Sequence, residues 1–176
     1  MTGEAPASLP LAGPLFSVDS RREKLFCVDT STLIYLDRIA LLDAVCQTFA
    51  PATIAPVLAE FGRAVADLRI LPVAPAAPAT DDALLAVACE HSGVLLSEDG
   101  RLLRRAGRSG LWYYNTLMLI SGLCYHGVLG SREGEARIEK LITFARYSNA
   151  VRAYGRKVFA LVQEDLDRTG AKKENP

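Results

Sequence analysis

Four carboxylates stand where α/β proteins do their chemistry. Asp29 ends the apolar run Leu25-Phe26-Cys27-Val28 and is followed by Thr30, Ser31 and Thr32, where a helix-like apolar period begins. Asp99 closes Val94-Leu95-Leu96-Ser97-Glu98 in the same way, ahead of Gly100 and a basic helical stretch. Glu60 lies in the helical segment Pro56-Val57-Leu58-Ala59-Glu60-Phe61, and Asp82, beside Asp81, opens the periodic run from Ala83 to His91. In a parallel sheet the carboxyl ends of all strands share one edge, so Asp29 and Asp99 should converge there, with Asp82 leaning in from the helix that enters the Val94 to Ser97 strand. Carboxylates brought together repel and resist ionisation unless a cation neutralises them. A hard, oxygen-seeking ion, Mg²⁺ or Mn²⁺, answers that need. Such an ion polarises a phosphoryl oxygen and lowers the pKa of a bound water, chemistry that most naturally serves a phosphodiester. Each acid alone is explained as well by helix capping or surface exposure. The ordered set of four is what points to a site.

Other chemistries find no foothold. There is no serine elbow, no catalytic cysteine near a histidine, and no GxxxxGK[ST] or GxGxxG loop. Cys27, Cys46, Cys89 and Cys124 are far apart and inside apolar segments, which predicts buried, reduced thiols rather than a zinc site. His91 and His126 each fall near the end of a helical pattern, just before Gly93 and Gly127, where an imidazole suits the helix dipole. The 20 basic and 20 acidic residues cancel, so distribution matters more than net charge. Arg101, Arg104, Arg105 and Arg108 form one basic run; Arg146, Arg152, Arg156 and Lys157 mark another. Such runs are commonly solvated helix faces, but beside an acidic mouth they can hold a phosphate backbone.

The elements that must position these residues follow from periodicity. Lys24 to Asp29 reads as a first strand, apolar on both faces as a central parallel strand should be. Thr30 to Leu36 and Ile39 to Cys46 are helical, and Thr48 to Ile54 reads as an extended link. Pro56 opens the next helix, placing Glu60 about one turn from its start. Arg69 to Val73 is a second strand whose Pro72 indicates an edge or a strand end. A Pro/Ala link precedes a helix capped by Thr80-Asp81-Asp82 and ended by Gly93; Val94 to Ser97 is a third strand, Arg101 to Ala106 a helix, and Leu111 to Tyr114 a fourth strand. Leu117 to Tyr125, Glu133 to Ala145 and Ala150 to Leu166 are helical. This alternation predicts a three-layer α/β/α sandwich around a mostly parallel sheet of four to five strands. Residues 1–21 are expected to be a flexible leader, 22–168 one domain and 169–176 a disordered tail. No apolar run approaches the ~20 residues that span a bilayer, and the first residues lack the basic stretch of a secretory signal, so a cytoplasmic, non-membrane protein is expected.

The strings Val28-Asp29-Thr30-Ser31-Thr32-Leu33-Ile34, Pro56-Val57-Leu58-Ala59-Glu60-Phe61, Asp82-Ala83-Leu84-Leu85-Ala86-Val87-Ala88 and Leu95-Leu96-Ser97-Glu98-Asp99 resemble, in order and spacing from about Lys24 to Tyr114, the PIN domain family. Asn115 to Ile120, His126 to Leu129 and the helical pair beyond resemble a less characterised subgroup, close to the toxin nucleases of bacterial toxin–antitoxin pairs. The resemblance implies a Mg²⁺- or Mn²⁺-dependent endoribonuclease acting on single-stranded RNA, with an antitoxin protein as a partner and commonly a homodimer, for which Leu117 to Tyr125 or Ile34-Tyr35-Leu36 would supply the contact. It implies Asp29, Glu60, Asp82 and Asp99 as metal ligands or orienters of the attacking water, with the Ser31 and Ser97 hydroxyls supporting them. Asp81 competes with Asp82, whose following Ala-Leu-Leu-Ala run fits the family better; Glu98 competes with Asp99. Arg101, Arg104, Arg105 and Asn115 are candidate RNA contacts, although Asn115 fits a helix cap better. Two alternatives stand beside it. A haloacid-dehalogenase-like phosphotransferase would need a second aspartate where Ser31 stands, and a non-catalytic PIN-like module would bind RNA or protein without turnover.

Overall fold

The structure, a computed structural model, describes residues 11–19, 23–73 and 79–171. Five short strands build its sheet: β1 (Phe26–Val28), β2 (Ala52–Ile54), β3 (Arg69–Leu71), β4 (Val94–Leu96) and β5 (Trp112–Tyr114). All neighbours pair in parallel, in the order β3-β2-β1-β4-β5. β1 is therefore central. Every residue of β1 and of β4 is fully buried, as strands covered on both faces require.

Eight α-helices among the described residues flank the sheet: α1 (Thr30–Arg38), α2 (Leu42–Phe49), α3 (Ala55–Phe61), α4 (Thr80–Glu90), α5 (Gly100–Arg108), α6 (Thr116–Tyr125), α7 (Ser131–Ile142) and α8 (Asn149–Ala171). α4 packs on β1, β2, β4 and α5, while α6 packs on α1, α2, α7 and α8. The result is the three-layer α/β/α sandwich expected, with an all-parallel sheet. None of these helices is long and apolar enough to cross a membrane.

Several expectations are corrected. The stretch read as an extended link contains β2, whose Ala52 pairs with Cys27 and whose buried Thr53 hydroxyl donates to the Val28 carbonyl at 2.7 Å. Three residues between Pro51 and Pro56 are too few for alternation to register. α2 starts at Leu42 rather than Ile39, because Ala40 takes a left-handed turn (φ 56°) that separates it from α1. Within the expected leader, Pro14–Phe16 forms a 3₁₀ turn whose Leu15 and Phe16 are buried against α6; residues 1–10 and 20–22 lie outside the described residues. α8 continues to Ala171, beyond the expected start of the tail, and 172–176 lie outside the described residues, as do positions 74–78 of the Pro/Ala link. Cys27, Cys46 and Cys124 are buried, which pushes their thiols up to about 12, 11 and 11, but Cys89 is exposed on α4. α6 is buried along nearly its whole length by the chain's own α7 and α8, so it cannot supply a dimer contact; Leu36 is buried too, leaving Ile34 as the exposed member of the second candidate. Pro72 does follow β3, which is an edge strand, and His91 and His126 are the C-caps of α4 and α6.

The crossings of α6 with its covering helices depend on two glycines. A Cβ at Gly134 would lie 2.5 Å from the Cys124 Sγ, and one at Gly155 would lie 2.9 Å from the Leu117 Cδ1. Gly134→Val is expected to cost about 2–3 kcal/mol through overpacking, measured as a lower midpoint in urea denaturation with an unchanged slope.

Candidate functional site

Parallel pairing sets β1 and β4 side by side with Val28 opposite Leu96, so the residues that follow emerge together at the carboxyl edge. The Asp29 amide donates to the Leu96 carbonyl at 2.9 Å, which holds the two strand tips in step. Asp29 is 6 % exposed and caps α1. Its Oδ1 accepts from the Thr30 amide at 2.7 Å; its Oδ2 accepts from the Ser31 and Ser97 hydroxyls at 2.7 and 2.8 Å. Each serine then takes a backbone proton on its own oxygen, Ser31 from the Glu98 amide (3.1 Å) and Ser97 from the Asp99 amide (3.0 Å). Both hydroxyl protons are thereby directed at Asp29. The carboxylate has about four acceptor positions and three are engaged, leaving one on Oδ1.

The other acids differ in the partners they take. Asp99 is the exposed N-cap of α5, with Oδ1 accepting from the Arg101 amide at 2.6 Å. Asp81, in the first turn of α4, accepts no hydrogen bond from a described residue. Its carboxyl is held above the ordinary aspartate range by burial first, and then by the charges of Asp29, Asp99 and Glu60, with Arg105 pulling the other way. Asp82 is ion-paired with Arg105 of α5. The neighbour preferred from sequence is thus tied to a guanidinium, and Asp81 is the one in the field of the other three acids. Glu60 stands little more than one turn past the start of the short helix α3, in its last turn, and its two oxygens accept from the Thr30 and Thr80 hydroxyls at 2.8 and 2.9 Å. Asn115 caps α6, accepting from the Met118 amide at 3.1 Å.

Glu98 was legible only as a rival to Asp99, and it turns inward. Its Oε1 accepts from the Thr116 amide (2.8 Å), the Thr116 hydroxyl (2.6 Å) and the Thr32 hydroxyl (3.2 Å), and its Oε2 accepts from the Tyr147 phenol. Burial raises its carboxyl pKa against the pull of those donors and, with the adjacent carboxylate, raises that of Tyr147 as well. This knot joins the tip of β4 to α1, α6 and the α7–α8 connection. The buried hydroxyls of Thr32 and Thr116, set in apolar surroundings, were the available signal.

As arranged, no group of three or more His, Cys, Asp or Glu side chains among the described residues is placed to hold a metal ion. The donor chemistry nonetheless fits a hard divalent cation: the facing groups are all carboxylates, Asp29 keeps an open acceptor position, and Asp81 carries repulsion without a hydrogen-bond partner. Compared with protein-family models, with curated proteins and with solved structures, the chain has no match in any of the three.

Two outcomes follow from this geometry. Because its folded-state pKa is raised, ionised Asp81 weakens the fold at neutral pH, and the penalty vanishes at low pH where the folded and unfolded carboxyls are both protonated. In metal-free buffer Asp81→Asn is expected to melt higher than Asp82→Asn at pH 7, both variants losing the same helix-dipole interaction, and the gap should close towards pH 3 in a series of thermal melts. Glu98→Ala leaves four donors without their acceptor and is expected to cost about 3 kcal/mol by chemical denaturation; Glu98→Gln, which keeps Oε1 and sheds the buried charge, should cost less than half of that.

Proposed function

We propose that this chain is a metal-dependent endoribonuclease that hydrolyses phosphodiester bonds of single-stranded RNA, of the PIN type that its motifs resemble, and the toxin partner of an antitoxin protein. The observation that carries the reading is the buried Asp29 carboxylate, held by two serine hydroxyls at a sheet edge where its charge acts on Asp81 together with those of Asp99 and Glu60. Asp29, Asp99 and Asp81 are the residues that would hold Mg²⁺ or Mn²⁺, with Asp81 taking the role expected of Asp82. When bound, such an ion supplies charge neutralisation, a polarised phosphoryl oxygen and a more acidic water.

The chain's own groups account for the rest. Asp29, fixed by three hydrogen bonds, supplies a rigid anchor that needs no reorganisation. Asp81, which accepts no hydrogen bond from a described residue, has its oxygens open to the ion or to the attacking water. The water oxygen bonds to phosphorus as the bond to the leaving sugar oxygen breaks, and a proton returns to that oxygen. Glu60, held by Thr30 and Thr80, keeps α1, α3 and α4 in register around the mouth.

The test is cleavage of a labelled single-stranded RNA with and without Mg²⁺ or Mn²⁺, in parallel with calorimetric titration of the metal. Metal-dependent cleavage is expected, lost in Asp29→Asn and reduced about 10²- to 10⁴-fold in Asp81→Asn, with Asp82→Asn retaining most of the activity. Parent-like cleavage by Asp29→Asn would overturn the site, and a protein that neither cleaves RNA nor takes up metal would be the non-catalytic binding module instead.

A further inference from the structure

The α5 helix carries a charge pattern that its fold does not need. Arg101, Arg104, Arg105 and Arg108 are all exposed and spaced i, i+3, i+4 and i+7, so they form one stripe about 10 Å long down a single helix face. Like charges at those spacings repel, and Arg101 sits in the first turn, at the positive end of the helix dipole. Arg105 is answered by Asp82, whereas Arg101, Arg104 and Arg108 form no ion pair with a described residue. The opposite face of the helix, Leu102 and Ala106, already supplies its packing. An uncompensated cationic stripe of this kind fits a polyanion.

Two further features narrow the occupant. The helix begins at its cap Asp99, so the stripe runs outward from the acidic mouth. At its far end the Tyr113 ring of β5 lies against the backbone at Gly107, where a Cβ would come within 2.9 Å of the ring, and Tyr113 is still 40 % exposed. An accessible aromatic ring packed against the helix that carries the arginines is the combination on which unpaired bases stack while their phosphates are neutralised. The second basic run is different: Arg156 is paired with Glu139 and Arg152 is partly buried, on the helix that covers α6.

We infer that the outer face of α5 and Tyr113 form the track of a single-stranded nucleic acid, with Arg101, Arg104 and Arg108 on successive phosphates and Tyr113 stacked on a base, so that the strand is led to the Asp29 edge. The inference rests on the nuclease reading for its direction, but binding is separable from cleavage.

The experiment measures fluorescence anisotropy of a labelled 12-nucleotide oligouridylate with the parent chain in EDTA, across a salt series, with heparin as a base-free polyanion. Binding is expected to weaken with salt. The triple variant Arg101→Gln, Arg104→Gln, Arg108→Gln should flatten the slope of log affinity against log salt by about 2. Tyr113→Ala should weaken oligouridylate binding about tenfold without changing heparin binding, and Tyr113→Trp should restore it. Circular dichroism melts confirm that each variant is folded. An unchanged salt slope in the triple variant, equal loss of both ligands in Tyr113→Ala, or no binding by the parent chain would overturn the track. RNA cleavage by the parent chain alongside any of these would leave the nuclease reading standing, and tight binding without cleavage would do the reverse.

Discussion

A carboxylate buried at the tip of the central strand must be satisfied, and the arrangement of the sheet edge follows from how that is done. Asp29 is almost wholly withdrawn from solvent and draws its donors from its own helix start and from the loop after β4. Neither Ser31 nor Ser97 acts as an isolated donor. Each is oriented by a backbone amide of residue 98 or 99, so the Asp29 geometry depends on the β1–β4 register and helps to hold it. A low-dielectric setting makes such a network costly to leave half-made and rigid once complete. Pre-set direction is what a reactive or metal-binding carboxylate requires, whereas a plain helix cap needs only one acceptor.

The electrostatics give that rigidity a purpose. The Asp81 carboxyl pKa is held up by burial first and then by the charges of Asp29, Asp99 and Glu60, and no hydrogen bond from the described chain offsets them. Structures relieve such repulsion when they can, as Asp82 does with Arg105 one residue away. At Asp81 that repulsion is retained, so its ionised carboxylate weakens the fold rather than supporting it.

What could be read from the residue string was whatever is local. Asp29, Asp99 and Asn115 were legible as strand-tip or capping residues because each signal lies within three or four positions of its partner. The α/β alternation was legible for the same reason. β2 was hidden because three residues cannot show a period, and the burial of Leu15 and Phe16 because a short apolar pair among prolines resembles a linker. The Glu98 knot was out of reach for a different reason: its partners stand 18, 49 and 66 residues away, and only the folded chain brings them together. α6 was legible as apolar, but its burial by α7 and α8 depends on glycines whose close approach has no sequence period.

The two places where adjacent acids compete, Asp81 with Asp82 and Glu98 with Asp99, resolve by one rule. Successive residues on a helix point roughly 100° apart, and successive residues leaving a strand point to opposite sides, so two neighbouring carboxylates cannot share an environment. In each pair one member is taken up by the scaffold: Asp82 ties α4 to α5 through Arg105, and Glu98 ties β4 to α1, α6 and Tyr147. The other member takes a different environment: Asp99 caps α5 at the Arg101 amide, and Asp81 lies in the field of Asp29, Asp99 and Glu60. Adjacent carboxylates thus serve different elements, because the chain geometry gives each its own set of neighbours.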